Sequence, residues 1–388
     1  KNKSVLIGAA FLMATSAIGP GFLTQTAVFT EQLKADFAFV ILVSVLLDII
    51  AQITIWRGIA VSGKPAQTIA NAVFPGLGYL LAALVFTGGL AFNIGNIAGA
   101  GLGLNVLLGI GIPQGAFISA VIALSIFIYR EAGKMMDAFT KFLGFGMILL
   151  TCYVAYSSNP PVTDALISFV APTRFSLPAI ITIVGGTVGG YISFAGAHRL
   201  LDAGITGRQR LGEVTGSAAS AIGIASFMRV LLFLAALGVV HAGFTFDPGN
   251  PAASLFKQAS GQFGYKVFGL VIWAAAITSV VGAAYTSASF LKTFHPVLLQ
   301  RQREIIIAII LAACGLFLWI GQPVKTLIVV GALNGLILPV SLGIMLYAAY
   351  RTRIVKDYKH PLWLTIAGWI VVALMTWMGY ETIIGAFF

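Results

Sequence analysis

Gly19-Pro20-Gly21-Phe22, inside the apolar stretch that opens the chain, is the first place where the sequence offers groups able to bind a ligand. Proline lacks the N–H and glycine is entropically costly in a helix, so this run interrupts the segment. In a bilayer an interruption survives only where the freed backbone groups face protein or a water-filled cavity. The chemistry on offer is therefore non-covalent, by backbone N–H and C=O groups with Thr24 and Gln25 beside them. A second interruption falls in Gly185-Gly186-Thr187-Val188-Gly189-Gly190-Tyr191-Ile192-Ser193, with four glycines in six positions. A simple proline kink and small-residue helix packing are the alternatives for the two stretches.

Other polar groups in apolar surroundings are few. Asn93 and Asn96 lie three apart, on one face of a helix. Asp48 and Arg229 are the clearest ionisable residues deep in apolar segments, and such residues are functional candidates by default. An Asp48–Arg229 pair and separate structural roles are both open, and Gln52, one turn from Asp48, is placed to be its hydrogen-bond partner. Thr278 and Ser279 interrupt another apolar run. No catalytic triad, phosphate loop or CxxC pattern is present, and Cys152 and Cys314 both sit inside apolar runs. An enzyme, a zinc site and a disulfide framework are accordingly not expected, and neither is a resident cofactor.

The elements that must position these groups are membrane helices. Of 388 residues, 59% are apolar and 9% charged, against about 25% charged in soluble domains. With a template of roughly 20 residues per span, eleven helices are predicted: 4–30, 36–62, 79–108, 114–129, 136–157, 178–201, 217–241, 266–291, 304–320, 325–350 and 362–386. The first is read as a retained helix, since no small-residue cleavage site follows it. Of the 23 Lys and Arg residues, seventeen fall on one set of alternating connections, five on the other, and Arg229 within a helix. The positive-inside rule then predicts a plasma (inner) membrane protein with a cytoplasmic N-terminus and an extracytoplasmic C-terminus. The basic balance is thus topogenic, and no nucleic-acid partner is expected. Nothing in the sequence assigns an oligomeric state.

The two interruptions fall in the first and sixth helices, each opening a block of five. That is the sequence pointer to an inverted-repeat secondary transporter, with repeats at 4–157 and 178–350, an eleventh helix at 362–386, and a single transmembrane domain over 1–388. The segment between Asn250-Pro251 and Gly264 has mixed polarity and reads as a short surface helix or lid.

On these residues the chain resembles the NRAMP family of divalent-metal transporters, which implies the all-α LeuT-type fold. The resemblance is carried by the two broken helices, Gly63-Lys64-Pro65 after the second, Leu104-Asn105 with Gly109-Ile110 at the end of the third, and Ser279-Val280-Val281-Gly282 in the eighth. It implies that Gly19-Pro20-Gly21-Phe22 stands where the family has Asp-Pro-Gly-Asn. The metal-binding Asp would then be Gly19, the Asn would be Phe22, and the family's Met-Pro-His would be Gly189-Gly190-Tyr191. Its acidic pair on the third helix would be Asn93 and Asn96. A literal Asp247-Pro248-Gly249-Asn250 lies in a connection and reads as an ordinary turn.

A carboxylate about 4 Å from a divalent ion contributes roughly 8 kcal/mol at an effective dielectric of 20. Its loss costs on the order of six decades in affinity. With the acid gone, half-helix N-termini would dominate the field, and these favour a carboxylate. The expectation is a pocket for a small amino-acid-like or carboxylated solute, built from Gly19, Pro20, Gly21, Phe22, Thr24, Gln25, Asn93, Asn96, Gly189, Gly190, Tyr191 and Ser193. A divalent cation (Mn²⁺ or Mg²⁺ type) at an atypical site is the alternative, and a non-transporting scaffold or sensor is the third. For coupling, Thr278-Ser279 suggests Na⁺, completed by carbonyls near Ser16 to Gly19. Asp48 or His198 suggests H⁺, and facilitated diffusion needs neither.

Overall fold

The computed structural model describes residues 6, 10, 13, 14, 17–292 and 294–387, with backbone only at 130–141 and 385–387. Helices α1 (Pro20–Leu33) and α2 (Phe37–Ser62) are joined by a short 3-10 turn. Then come α3 (Ala66–Val73), α4 (Leu77–Leu108), α5 (Ile112–Ile128), α6 (Arg130–Ser157) and α7 (Val162–Val170). The second half has α8 (Leu177–Thr187), α9 (Ile192–Asp202), α10 (Leu211–His241) and α11 (Pro251–Leu291). It ends with α12 (Pro296–Gln300), α13 (Gln302–Ile320), α14 (Pro323–Ala348), α15 (Thr352–Val355) and α16 (Leu362–Phe387). Among the described residues there is no strand.

Helix is found at each of the eleven predicted segments, but eleven spans are not all of one kind. Among the described residues, eight stretches are long and apolar enough to cross a membrane. A ninth is gained if Phe142–Ser157 and Val162–Val170, bent by 103°, form one span. The difference from eleven has three sources. The stretch Pro20–Ser62 runs through α1 and α2 together, Ile112–Ile128 is shorter than a full span, and α6 is bent against α7. Most of the predicted first helix before Ala17 lies outside the described residues.

Local chemistry sets the helix starts. Ser176 accepts the Ala179 N–H at 3.2 Å ahead of α8, and Asn250 accepts the Ala253 N–H at 3.2 Å ahead of α11. Each cap stands beside a first-turn proline, whose missing N–H costs nothing there. Asp247-Pro248-Gly249-Asn250 is the expected turn, closed by Asn250 N–H to the Asp247 carbonyl at 3.0 Å. The segment after it is a helix whose arm 251–260 bends away at Gly261, non-helical at φ 60°. Pro251 through Phe256 are all buried in that arm, so its first half is enclosed by the bundle.

Helix α4 packs along α11, and α14 packs against α8, α4 and α16. The α8–α14 contact is a meeting of backbones. A side chain at Gly185 would run into the carbonyl of Gly331 and the backbone of Gly335, the close approach that small residues allow in membrane bundles. Large exposed apolar side chains such as Trp319, Leu362 and Trp363 occupy the periphery, as a lipid-facing surface requires. The interior where α1, α4, α8 and α14 converge is where both interruptions lie.

Candidate functional site

Helix α1 starts at the first interruption. Gly19 is its N-cap in an extended conformation (φ −110°, ψ −171°) and brings no side-chain cap, so the first-turn N–H groups have no partner from that residue. Before it, Ile18 N–H still bonds the Ala14 carbonyl at 2.8 Å, closing the preceding turn. The second interruption separates α8, ending at Thr187, from α9, starting at Ile192. Gly190 sits there at φ 54°, and a side chain on it would collide with Asn334 Oδ1. Glycine is required on both counts.

A cavity of about 10 Å³ lies beside the first interruption, against the last turn of α8, with room for about one water molecule. Ala17, Gly19, Gly21, Phe22 and Gln25 line it from the first interruption, and Gly186 from α8. Phe92, Gly95 and Asn96 face it from α4, and Leu327, Val330 and Gly331 from α14. No ionisable side chain lines it. Its free hydrogen-bonding groups are neutral: Gln25 Oε1 and Asn96 Nδ2 are buried without partners. Gln25 Nε2 donates to the Leu327 carbonyl at 2.8 Å, so this side chain stretches from α1 to α14. Thr24 Oγ1 is also buried and unpartnered, but Thr24 is not among the lining residues.

Of the predicted site residues, the cavity gathers Gly19, Gly21, Phe22, Gln25 and Asn96. Pro20 turns instead toward α4, where Gly99 leaves room for its ring. Asn93 is fully buried one turn from the cavity wall. Gly189 and Gly190 form the second interruption without reaching the cavity. Tyr191, expected on the apolar wall, stands behind it: its ring meets Phe92 edge-on at 5.2 Å, and Phe92 is the lining residue. Ser193 Oγ lies 2.9 Å from Gln52 Oε1 and 2.7 Å from the Val188 carbonyl, sharing its one hydroxyl proton between these two acceptors. Gln52 is therefore a brace for the second interruption rather than the partner of Asp48, whose Oδ1 has none. Trp56, one turn further along α2, donates from Nε1 to the Ser193 carbonyl at 2.9 Å.

Asp48 and Arg229, left open as a pair by the sequence, lie within electrostatic range of each other, but no salt bridge joins them. Arg229 Nη2 donates to Thr187 Oγ1 at 3.2 Å, and its guanidinium lies 4.1 Å from the centre of the Phe22 ring. Neither lines the cavity. On α11, Thr278 returns its hydroxyl to the carbonyls of Ala274 and Ala275 on its own helix. Ser279 is half-buried beside it.

The residues that sequence reasoning missed are those of α14. Asn334 donates to the carbonyls of Gly88 and Val330 at 3.2 and 3.0 Å and packs against Gly190. An asparagine amid apolar residues was the available signal. Leu327, Val330 and Gly331 serve through backbone and small surfaces, which residue type does not announce. Among the described residues, no group of three or more His, Cys, Asp or Glu is placed to hold a metal ion.

Comparison with known proteins places this architecture. The family model described as "Natural resistance-associated macrophage protein-like" (Nramp) matches residues 10–385. The uncharacterized membrane protein YcsG of Bacillus subtilis strain 168 is 61% identical over 380 residues, covering 98% of this chain and 94% of the relative. The divalent metal cation transporter MntH of Klebsiella pneumoniae strain 342 is 22% identical over 411 residues, covering 100% and 95%. Among solved structures, the manganese transporter of Eremococcus coleocola (mutant H236A) superposes with a TM-score of 0.73 at 17% identity, covering 98% of this chain and 86% of that one. The expected LeuT-like architecture is thereby shown. With a family match over nearly the whole length, this membrane protein belongs to the Nramp family.

Proposed function

We propose that the chain is a secondary transporter that carries a small ion or solute by alternating access at the cavity between its two interrupted helices. The observation that carries this is the meeting of three helices on Gln25 beside the first interruption: α1 supplies it, Gly186 near the end of α8 crowds it and Leu327 of α14 receives it. Eleven crossings complete the reading. They follow if α1 and α2 cross separately and if α5 and the bent α6 each cross once. Residues 4–157 and 178–350 would be the inverted repeats, with the N-terminus cytoplasmic.

For the cargo, the comparisons favour a divalent metal cation over the organic solute that the sequence suggested. MntH of Klebsiella pneumoniae, similar over the whole chain, is named for that cargo, and the structural neighbour is named as a manganese transporter. Here such an ion would be held by neutral oxygens, Gln25 Oε1 and carbonyls freed at the interruptions, with waters completing the shell. A small carboxylated solute is the second reading. It is favoured by the unpartnered Asn96 amide in the cavity wall beside the uncapped start of α1, a donor set suited to an anion.

Uptake by purified protein in proteoliposomes decides between them, with Mn²⁺ and a panel of amino and carboxylic acids as substrates. Saturable Mn²⁺ uptake without acid uptake supports the first reading, and the converse supports the second. Absence of uptake and binding for every substrate would turn the reading toward a scaffold or sensor.

A further inference from the structure

Arg229 touches both interruptions at once. From α10 its guanidinium stacks at 4.1 Å on Phe22, the third residue of α1. From the same guanidinium Nη2 donates at 3.2 Å to Thr187, the last residue of α8. Asp48 on α2 lies within electrostatic range of it, and Arg229 and Asp48 are only 3% and 2% exposed.

A charge at this depth is costly, and buried charge kept for stability alone is often no better than apolar residues of the same volume. Its surroundings are also incompletely satisfied: Arg229 Nη1 and Asp48 Oδ1 each lack a partner, although buried polar atoms in stable cores nearly always have one. What the arrangement does use is the shape of the guanidinium. Its carbon centre lies over an aromatic ring while one of its nitrogens holds a hydroxyl, a division that a lysine ammonium does not reproduce.

We propose that Arg229 is a positioning residue that locks the start of α1 to the end of α8, so that the two interruptions move as one body. It acts through Phe22 and Thr187 and does not touch the cargo, since Phe22 lines the cavity and Arg229 does not. The inference rests on the transport reading for its purpose, though its physical content holds whatever the cargo.

Hydrogen–deuterium exchange on the full chain in nanodiscs tests it without any cargo. The amides of Gly19, Gly21, Phe22 and Leu23 and those of residues 188–193 are expected to exchange at matching rates in the wild type, each rate divided by its intrinsic value, because segments that open together share one opening equilibrium. In Arg229→Lys, which keeps the charge, the two rates separate by about tenfold or more, and likewise in the charge-free double variant Asp48→Asn/Arg229→Gln. Thermal melting that stays near wild type in the double variant shows that the fold is retained. Rates that stay matched in both variants, or that already differ in the wild type, would overturn the proposal. Uptake of Mn²⁺ and of the acid panel by the same variants is read separately. A transport failure in the wild type counts against the function, whereas loss of matched exchange in the variants alone supports the positioning role.

Discussion

The Gln25 side-chain amide donates to the Leu327 backbone carbonyl at 2.8 Å, joining residues 302 positions apart in sequence. Both residues line the cavity, and the other amide atom, Oε1, is buried there without a partner. One side chain thus anchors to α14 and offers an acceptor to whatever enters. Gln25→Leu keeps much of the volume and removes both functions. The net loss of a hydrogen bond is about 1 kcal/mol, too little to unfold the chain, so the variant should purify as wild type does. Uptake should fall at least tenfold, and unchanged uptake would show that the cargo does not engage Gln25.

Gly21 gives a steric test of the same cavity. A Cβ there would lie 3.5 Å from Gln25 Nε2 and 3.8 Å from the Leu327 carbonyl, ordinary contact distances. The fold therefore accepts a side chain, but a cavity of about 10 Å³ does not stay open around it. Gly21→Val should leave melting in detergent nearly unchanged while abolishing transport. If the variant transports normally, the cargo is bound elsewhere.

What could be read from sequence divides along a physical line. The two interruptions were legible because glycine and proline change backbone conformation, and Gly190 at φ 54° is direct testimony. Asp48 and Arg229 stood out because charge is expensive in a membrane interior, and both are buried there. Tyr191 and Ser193 were misassigned to the cavity because residue type says nothing of which side of an irregular turn a side chain takes. Tyr191 turns behind Phe92, and Ser193 turns to Gln52 and the Val188 carbonyl. The wall from α14 was invisible, since Gly331 contributes absence of bulk and Leu327 a backbone oxygen. Substrate chemistry was inferred from a lost carboxylate, whereas MntH of Klebsiella pneumoniae, similar over the whole chain, is named for divalent metal.

The connection that joins α14 to α16 carries a pH-sensitive contact. Arg57 Nε donates to the Tyr358 hydroxyl at 3.1 Å, and that hydroxyl meets His360 Nδ1 at 3.1 Å. Burial, with the Arg57 guanidinium adding to it, pushes the His360 imidazole down to about 4. The unfolded chain titrates near the ordinary value of 6.5. Between those values the unfolded state holds a proton that the folded state refuses, so stability is fully present above about 6.5 and declines as pH falls toward 4. Melting temperature measured from pH 7.5 to pH 4 should follow that course. His360→Asn should flatten it, and an unaltered slope would assign the loss to other groups.

Restoring the missing acid asks whether Gly19 faces the cargo. The resemblance to the family matched Gly19-Pro20-Gly21-Phe22 with Asp-Pro-Gly-Asn, and Gly19 and Phe22 do line the cavity. A carboxylate about 4 Å from a divalent ion is worth roughly 8 kcal/mol at an effective dielectric of 20. Part of that gain is offset here, because Arg229 lies directly behind Phe22 and would attract the new carboxylate too. Gly19→Asp/Phe22→Asn is therefore expected to tighten Mn²⁺ binding by at least a hundredfold over the wild type in calorimetry, well short of the full Coulomb term. Gly19→Asn/Phe22→Asn, with the same shape and no charge, should gain much less. Equal affinities for the two variants would mean that position 19 does not reach the ion, and the binding site would have to be sought away from the first interruption.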